Sequence, residues 1–242
     1  MLATGAILLA TTQFLPLLVQ QDFGYTATWA GLVFSPGGLV TMAMMLVVGR
    51  MSARIQPKYL IAVGAAVIAF SMYDLTNLDS ELNFGFFAWS RMYLGVGLRL
   101  IFIPINVAAY DGIPRDQTDQ ASALINAARN VGGSIGVSLS NNVLVHREQF
   151  HQSRLVELAN SSTVQYRETL EQATRYFTMH GSSIAQAQHQ AFAWIGQQIE
   201  FQASLLAYID VFRTLMLVSA AAVPLASIMR NVKLGANAAM AH

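Results

Sequence analysis

The chain has 242 residues, of which 54% are hydrophobic and 11% charged, and its mean hydropathy is +0.44. Soluble domains carry about 25% charged residues, so this composition excludes a globule solvated on every side. The absence of cysteine excludes disulfides, thiolate catalysis and Cys-ligated metals, and with a formal net charge of +1 no basic run is long enough to indicate nucleic-acid binding.

Six apolar stretches of near-spanning length follow one another, at about residues 1–19, 28–48, 59–78, 84–109, 121–145 and 205–229. About 20 apolar residues cross a hydrocarbon core of about 30 Å. Six such runs in one short chain leave too little polar surface to solvate a globule, so the chain reads as an all-α membrane protein built on a six-transmembrane-helix bundle. Residues 1–19 lack a basic leader and a cleavage site, so they read as a span and not as a signal peptide.

The expected organisation is five spans over residues 1–145, an external helical loop over 146–204, a last span over 205–230 and a cytoplasmic tail over 231–242. Connectors one and three, at 20–27 and 77–83, carry no Lys or Arg, whereas connector two carries Arg50, Arg54 and Lys58. Connector four carries Arg115, and the tail carries Arg230 and Lys233. This bias places both ends in the cytoplasm. Asp22, Asp79 and Glu81 fall on the opposite side and add little, because the rule counts Lys and Arg.

The fifth connector also contains Arg147, Arg154, Arg167 and Arg175, as long external segments are largely exempt from the rule. Its composition is helical. Asn160-Ser161-Ser162 predicts a break before a helix at 163–179. His180-Gly181-Ser182-Ser183 predicts a second break with a capping serine, followed by an amphipathic helix from Ile184 into the last span. The segment reads either as a solvated lid or as a docking surface for an external partner. His146, His151, His180 and His189 are irregularly spaced, so no metal site is expected.

Charges inside spans are costly and mark sites worth weighing. Arg129 lies within Asn126-Ala-Ala-Arg129-Asn130-Val-Gly132-Gly133-Ser134-Ile-Gly136. Asn126 and Asn130 share a helix face, and Gly132 and Gly136 form a small-xxx-small pair that permits close helix approach. This stripe reads either as helix glue or as a gate or cavity element. Asp210 and Arg213 are spaced to pair, either as an interfacial anchor or with Asp210 handling protons. In the fourth span Arg91 can snorkel to the external interface, but Arg99 lies near mid-membrane and should face a cavity or a carboxylate. Pro104 should bend that helix, and Pro36-Gly37-Gly38 in the second span marks a hinge, a cavity lining or a packing kink. Phe34, Met42 and Met45 are either cavity-lining or core and lipid-facing. No catalytic constellation, nucleotide loop, cofactor motif or metal motif is present in the sequence, so an enzyme is not expected.

These motifs together resemble the C-terminal half of the EmrB/QacA-type drug–proton antiporters, the fourteen-span branch of the major facilitator superfamily. The resemblance rests on Leu15-Pro16-Leu17-Leu18, Gly24-Tyr25-Thr26-Ala27-Thr28-Trp29-Ala30-Gly31-Leu32, Pro36-Gly37-Gly38 and Gly49-Arg50-Met51-Ser52-Ala53-Arg54. Ala88-Trp89, Pro104, the stretch at 126–136, Trp194-Ile195 and Gln197-Gln198-Ile199 follow in family order. It implies one bundle of a two-bundle rocker-switch in the bacterial inner membrane that exports hydrophobic or amphipathic drugs through a cavity between bundles. It also implies three partners: the missing N-terminal half, a periplasmic membrane-fusion adaptor docked on the long loop and, through it, an outer-membrane channel. Gly49, Arg50 and Arg54 match a cytoplasmic gating loop, in which Ala53 stands where the family commonly has Asp. Arg99 sits where the family has a small or apolar residue, and the family's main proton-coupling carboxylate belongs to the other bundle. Met1 is expected to fall inside the first span of this half. The alternative is a non-transporting subunit or truncated product that docks an adaptor.

Because the chain has no native cysteine, its orientation is directly testable by labelling. A cysteine replacing Ala53 is expected to react with a membrane-impermeant maleimide only from the cytoplasmic side, and one replacing Gln172 only from outside. The reverse pattern would overturn the orientation.

Overall fold

A computed structural model describes residues 1–78, 84–160 and 163–229, with the Arg115 side chain set aside. The expectations for Asp79, Glu81, Ser161, Ser162, Arg230, Lys233 and the tail at 231–242 lie outside the described residues. The described elements are helices α1 (Leu2–Gln21), α2 (Ala27–Ser52), α3 (Pro57–Asp74), α4 (Phe84–Tyr110), α5 (Thr118–Leu158), α6 (Val164–Met179) and α7 (Ile184–Ser227), with one 3-10 turn at Arg115–Gln117. In a bilayer every backbone polar group needs an internal partner, and helices supply one without help from neighbours.

Local chemistry sets the helix ends. Thr26 caps α2 by accepting a hydrogen bond from the Trp29 N–H at 3.3 Å. Pro57 opens α3 at a position where its missing N–H costs nothing. α6 ends in a paired closure in which the Ser182 N–H donates to the Phe177 carbonyl and the Gly181 N–H to the Thr178 carbonyl, at 3.2 and 3.1 Å. Gly181 adopts φ +96°, which glycine reaches without a Cβ penalty. α7 then opens with a reciprocal box: the Gln186 N–H donates to Ser183 Oγ at 3.4 Å and the Ser183 N–H to Gln186 Oε1 at 3.3 Å. The predicted break at 180–183 lies where the structure has it, between α6 and α7.

The chain divides into two compact units, residues 1–141 with 211–242, and residues 142–210. The first contains α1 to α4, the first part of α5 and the last part of α7, six helical segments in all. The second contains the rest of α5, all of α6 and the first part of α7. The segment at 146–204, expected as a helical loop, contains the end of α5 to Leu158, all of α6 and the start of α7 from Ile184. Among the described residues, α1, α2, α4 and α7 are long and apolar enough to cross a membrane by length and composition. α3 and α5 fall outside that group, α3 with Lys58 and Asp74 near its ends and α5 with Asn126, Arg129 and Asn130 on its first turns.

Small residues bring the helices of the first unit together. A Cβ on Gly64 of α3 would lie 2.8 Å from the Gly97 carbonyl of α4, and one on Gly97 would lie 2.9 Å from the Gly64 carbonyl. Beside them the Ser71 hydroxyl donates to the Ser90 carbonyl at 2.8 Å and the Ser90 hydroxyl to the Ser71 carbonyl at 3.2 Å. α1 meets α5 in the same way, with Leu2 filling the space over Gly132 and Ala6 that over Gly136. Helices in lipid gain nothing from hiding apolar groups from one another, so close backbone approach and interhelical hydrogen bonds must hold them. Phe14, Leu15, Leu18, Ile68, Met72, Phe87 and Leu94 are fully buried in this unit, whereas Leu39, Met42, Met45 and Leu46 of α2 are exposed.

Gly97→Leu is expected to force α3 and α4 apart and to lower stability by about 1–3 kcal/mol, read as the thermal midpoint in detergent. Gly31→Ala, where a Cβ meets nothing within 4 Å, should be neutral or mildly stabilising. Equal effects of the two would sink this account of the packing.

Candidate functional site

α4 carries one face of polar and apolar residues at helical spacing: Arg91, Leu94, Gly95, Leu98, Arg99 and Phe102. These residues line a cavity of about 450 Å³ with Thr4 and Leu8 of α1, Phe34, Gly37, Gly38 and Thr41 of α2 and Arg129 of α5. The volume falls within the range of about 300–1,000 Å³ usual for small-molecule sites. Every lining residue belongs to the first unit.

Three arginines share this cavity, and among the described residues no carboxylate lines it. Arg91 lies over the Phe34 ring at 4.8 Å, and Arg129 lies over the Phe102 ring at 4.4 Å. Arg99 approaches the same Phe102 ring at 5.8 Å. Aromatic faces attract cations by their quadrupole but accept no ordinary hydrogen bond. Arg129 Nη1 donates to Asn126 Oδ1 at 3.2 Å. Arg91 Nη1 and Arg129 Nε are buried and, among the described residues, have no hydrogen-bond partner.

Close packing positions these side chains. Gly37 admits the stem of Arg91, whose Cγ would lie 2.7 Å from a Cβ at that position. The Arg129 carbonyl fills the space over Gly5 on α1, which seats α5 against α1 at that level. Arg91 was read from sequence as snorkelling outward, but α2 covers it and turns it over Phe34. Only the α2–α4 pairing reveals this. The signal available in sequence was the helical spacing of Arg91 and Arg99 on one span, together with a glycine pair on a neighbouring span.

The remaining expected site residues divide clearly. Arg99 and Arg129 line the cavity, as do Gly37 and Gly38, whereas Pro36 lies beside it on α2. Asn126 reaches it only through Arg129, and Asn130 is exposed and outside the lining. Neither Pro36 nor Pro104 interrupts its helix. Phe34 lines the cavity, whereas Met42 and Met45 are exposed. Gly132, Gly133 and Gly136 pack against α1. Gly49, Arg50 and Arg54 are exposed at the end of α2 and in the turn before α3, where the Arg54 N–H donates to the Met51 carbonyl at 3.0 Å.

Asp210 is outside the cavity and falls in the second unit. Its Oδ2 accepts from Arg147 Nε at 2.5 Å and lies 2.8 Å from His151 Nε2. Arg147 and His151 are one turn apart on α5, so both reach the same carboxylate of α7. Sequence reasoning paired Asp210 with Arg213 on its own helix and did not foresee these partners. The second unit also holds an apolar groove of about 470 Å³, lined by Thr169, Gln172, Ala173, Tyr176 and Phe177 of α6 and Trp194 of α7.

A family model described as Major Facilitator Superfamily matches residues 1–137. The chain belongs to the major facilitator superfamily. The match covers α1 to α4 and most of the first part of α5, and with them every residue that lines the arginine cavity. The chain is 30% identical over 213 residues to the multidrug export protein EmrB of Escherichia coli K12, covering 88% of this chain and 39% of that protein. It is 29% identical to the EmrB of Haemophilus influenzae over 85% of this chain and 39% of that protein. It is 27% identical to the fatty acid resistance protein FarB of Neisseria gonorrhoeae over 74% of this chain and 35% of that protein. The chain thus spans about two fifths of the length of the EmrB proteins it matches. The resemblance to EmrB-type major facilitator proteins, read first from motifs, is borne out, and the protein is a multi-pass protein of the inner membrane.

Asp210→Asn is expected to weaken the α5–α7 contact and to destabilise the helical unit by about 1–3 kcal/mol, the cost of disrupting a charge-assisted hydrogen-bonded cluster. Proteolytic susceptibility of residues 142–210 is the measurement. Unchanged protection would show that the cluster holds nothing in place.

Proposed function

We propose that this chain forms the C-terminal bundle of a proton-coupled multidrug efflux transporter, which exports hydrophobic or amphipathic compounds across the inner membrane. The observation that carries this reading is the drug-sized cavity on one side of a major facilitator bundle, walled by Phe34, Phe102 and Leu98 and interrupted by a few cationic groups. The printed names of the relatives, multidrug export and fatty acid resistance, support the same substrate range. The exposed apolar face of α2, with Leu39, Met42, Met45 and Leu46, suits contact with lipid or with a complementary bundle. Pro36-Gly37-Gly38 is the hinge candidate, and Gly49, Arg50 and Arg54 are the candidates for closing the cytoplasmic end.

Among the described residues no carboxylate lines the cavity, so the proton-coupling carboxylate is expected from the complementary half. Asp210, tied to Arg147 and His151, is a structural clasp in this reading. The helical unit at 142–210, with its groove beside Tyr176, Phe177 and Trp194, is the docking surface for a periplasmic adaptor that leads to an outer-membrane channel. That groove equally favours the second reading, a non-transporting subunit that only docks the adaptor.

One bundle has nothing to rock against, so the chain alone should not move substrate. In proteoliposomes with an imposed pH gradient, efflux of the uncharged dye Nile red is expected only when the complementary bundle is present. Efflux by the chain alone would overturn the single-bundle account. No efflux with both halves folded and inserted would favour the docking subunit.

A further inference from the structure

Resting on the reading of the cavity as a substrate site, we infer that it selects amphiphiles carrying an anionic headgroup, such as a carboxylate on an apolar body. Arg91, Arg99 and Arg129 converge on one cavity from two helices, and among the described residues no acidic side chain lines it. A cationic group with a buried, unpartnered N–H is expensive, and Arg91 and Arg129 each have one among the described residues; with Arg99 as a third positive charge in the same space, an anion would offset the cost.

The donors are also presented in the right way. The guanidinium carbons of Arg91 and Arg129 lie over the Phe34 and Phe102 rings, and an aromatic face takes up no ordinary N–H hydrogen bond. Two guanidinium nitrogens, Arg91 Nη1 and Arg129 Nε, are buried without a partner among the described residues. A planar guanidinium matches a carboxylate in two parallel hydrogen bonds, which an ammonium cannot do. Leu8, Leu94 and Leu98 supply the apolar wall for the remainder of the ligand. A cationic amphiphile would meet three like charges in the same space.

The test uses the full chain in phosphatidylcholine nanodiscs and three probes of one shape: para-butylbenzoate, para-butylbenzamide and protonated para-butylbenzylamine. Equilibrium dialysis against empty discs removes the contribution of lipid partition. The benzoate is expected to bind tightest and the amine weakest. Arg91→Gln and Arg129→Gln should each weaken the benzoate about tenfold, the scale of one charge-assisted hydrogen bond, and leave the amide unchanged. Arg91→Lys and thermal midpoints of all variants separate loss of the charge from loss of the fold: a folded Arg91→Lys protein should keep part of the preference.

Equal affinity for benzoate and amide, or benzoate binding indifferent to both Gln variants, would overturn anion selectivity while leaving the efflux reading intact. Failure of all three probes to bind would overturn the efflux reading of the cavity itself. Discs containing phosphatidylglycerol distinguish the source of the anion: competition there assigns the site to a lipid headgroup, and its absence to a soluble amphiphile. Adding the complementary bundle of an EmrB-type transporter is the last arm. Retained benzoate preference supports the inference, and its loss would overturn it, because carboxylates of that bundle would then be the arginines' partners.

Discussion

Close approach of helix backbones at small residues is the constraint on which the first unit depends. In lipid, apolar side chains are as comfortable facing outward as inward, so large residues cannot drive helices together as they do in water. α4 is the element most affected. It abuts α3 through Gly64 and Gly97 and the paired hydroxyls of Ser71 and Ser90, and it abuts α2 through Gly37 and Gly95. These two contacts fix its rotation, and with it the direction in which its arginine-bearing face points.

That rotation explains how an apolar bundle tolerates three arginines. Were α4 turned outward, Arg99 would have to bury its charge in hydrocarbon or reach for water along the lipid surface. As packed, its face looks onto a cavity where aromatic rings of α2 and α4 meet the guanidinium groups. The close seating of α5 against α1 brings Arg129 to the same place. The site is therefore a consequence of glycine positions on other helices as much as of its own side chains.

The second unit is governed by different chemistry. Its helices carry alternating Glu, Gln, Arg and Ala, and its closures are polar: a glycine-terminated turn after α6 and a Ser–Gln box before α7. The Arg147–Asp210–His151 cluster ties α5 to α7 within it. Alanines at 187, 191, 203 and 207 are fully buried along α7, so the same close-packing device operates here with a slightly larger residue.

Much of this was legible in the linear sequence because it depends on local composition. Apolar run length located the helices, charge-poor connectors separated them, and Ser183 and Gly181 marked a helix start and stop through hydrogen bonds to residues a few positions away. Arg99 and Arg129 stood out for the same reason, since a charge in an apolar run is costly wherever it points. What only the tertiary structure decided was which residues share a space. Arg91 joined the cavity because α2 covers it at Gly37, Asn130 and Asp210 left it, and Asp210 found partners 63 and 59 residues away on another helix. Such pairings depend on helix rotation and neighbour choice. Those are set by glycine contacts between segments far apart in the chain, which no local pattern records.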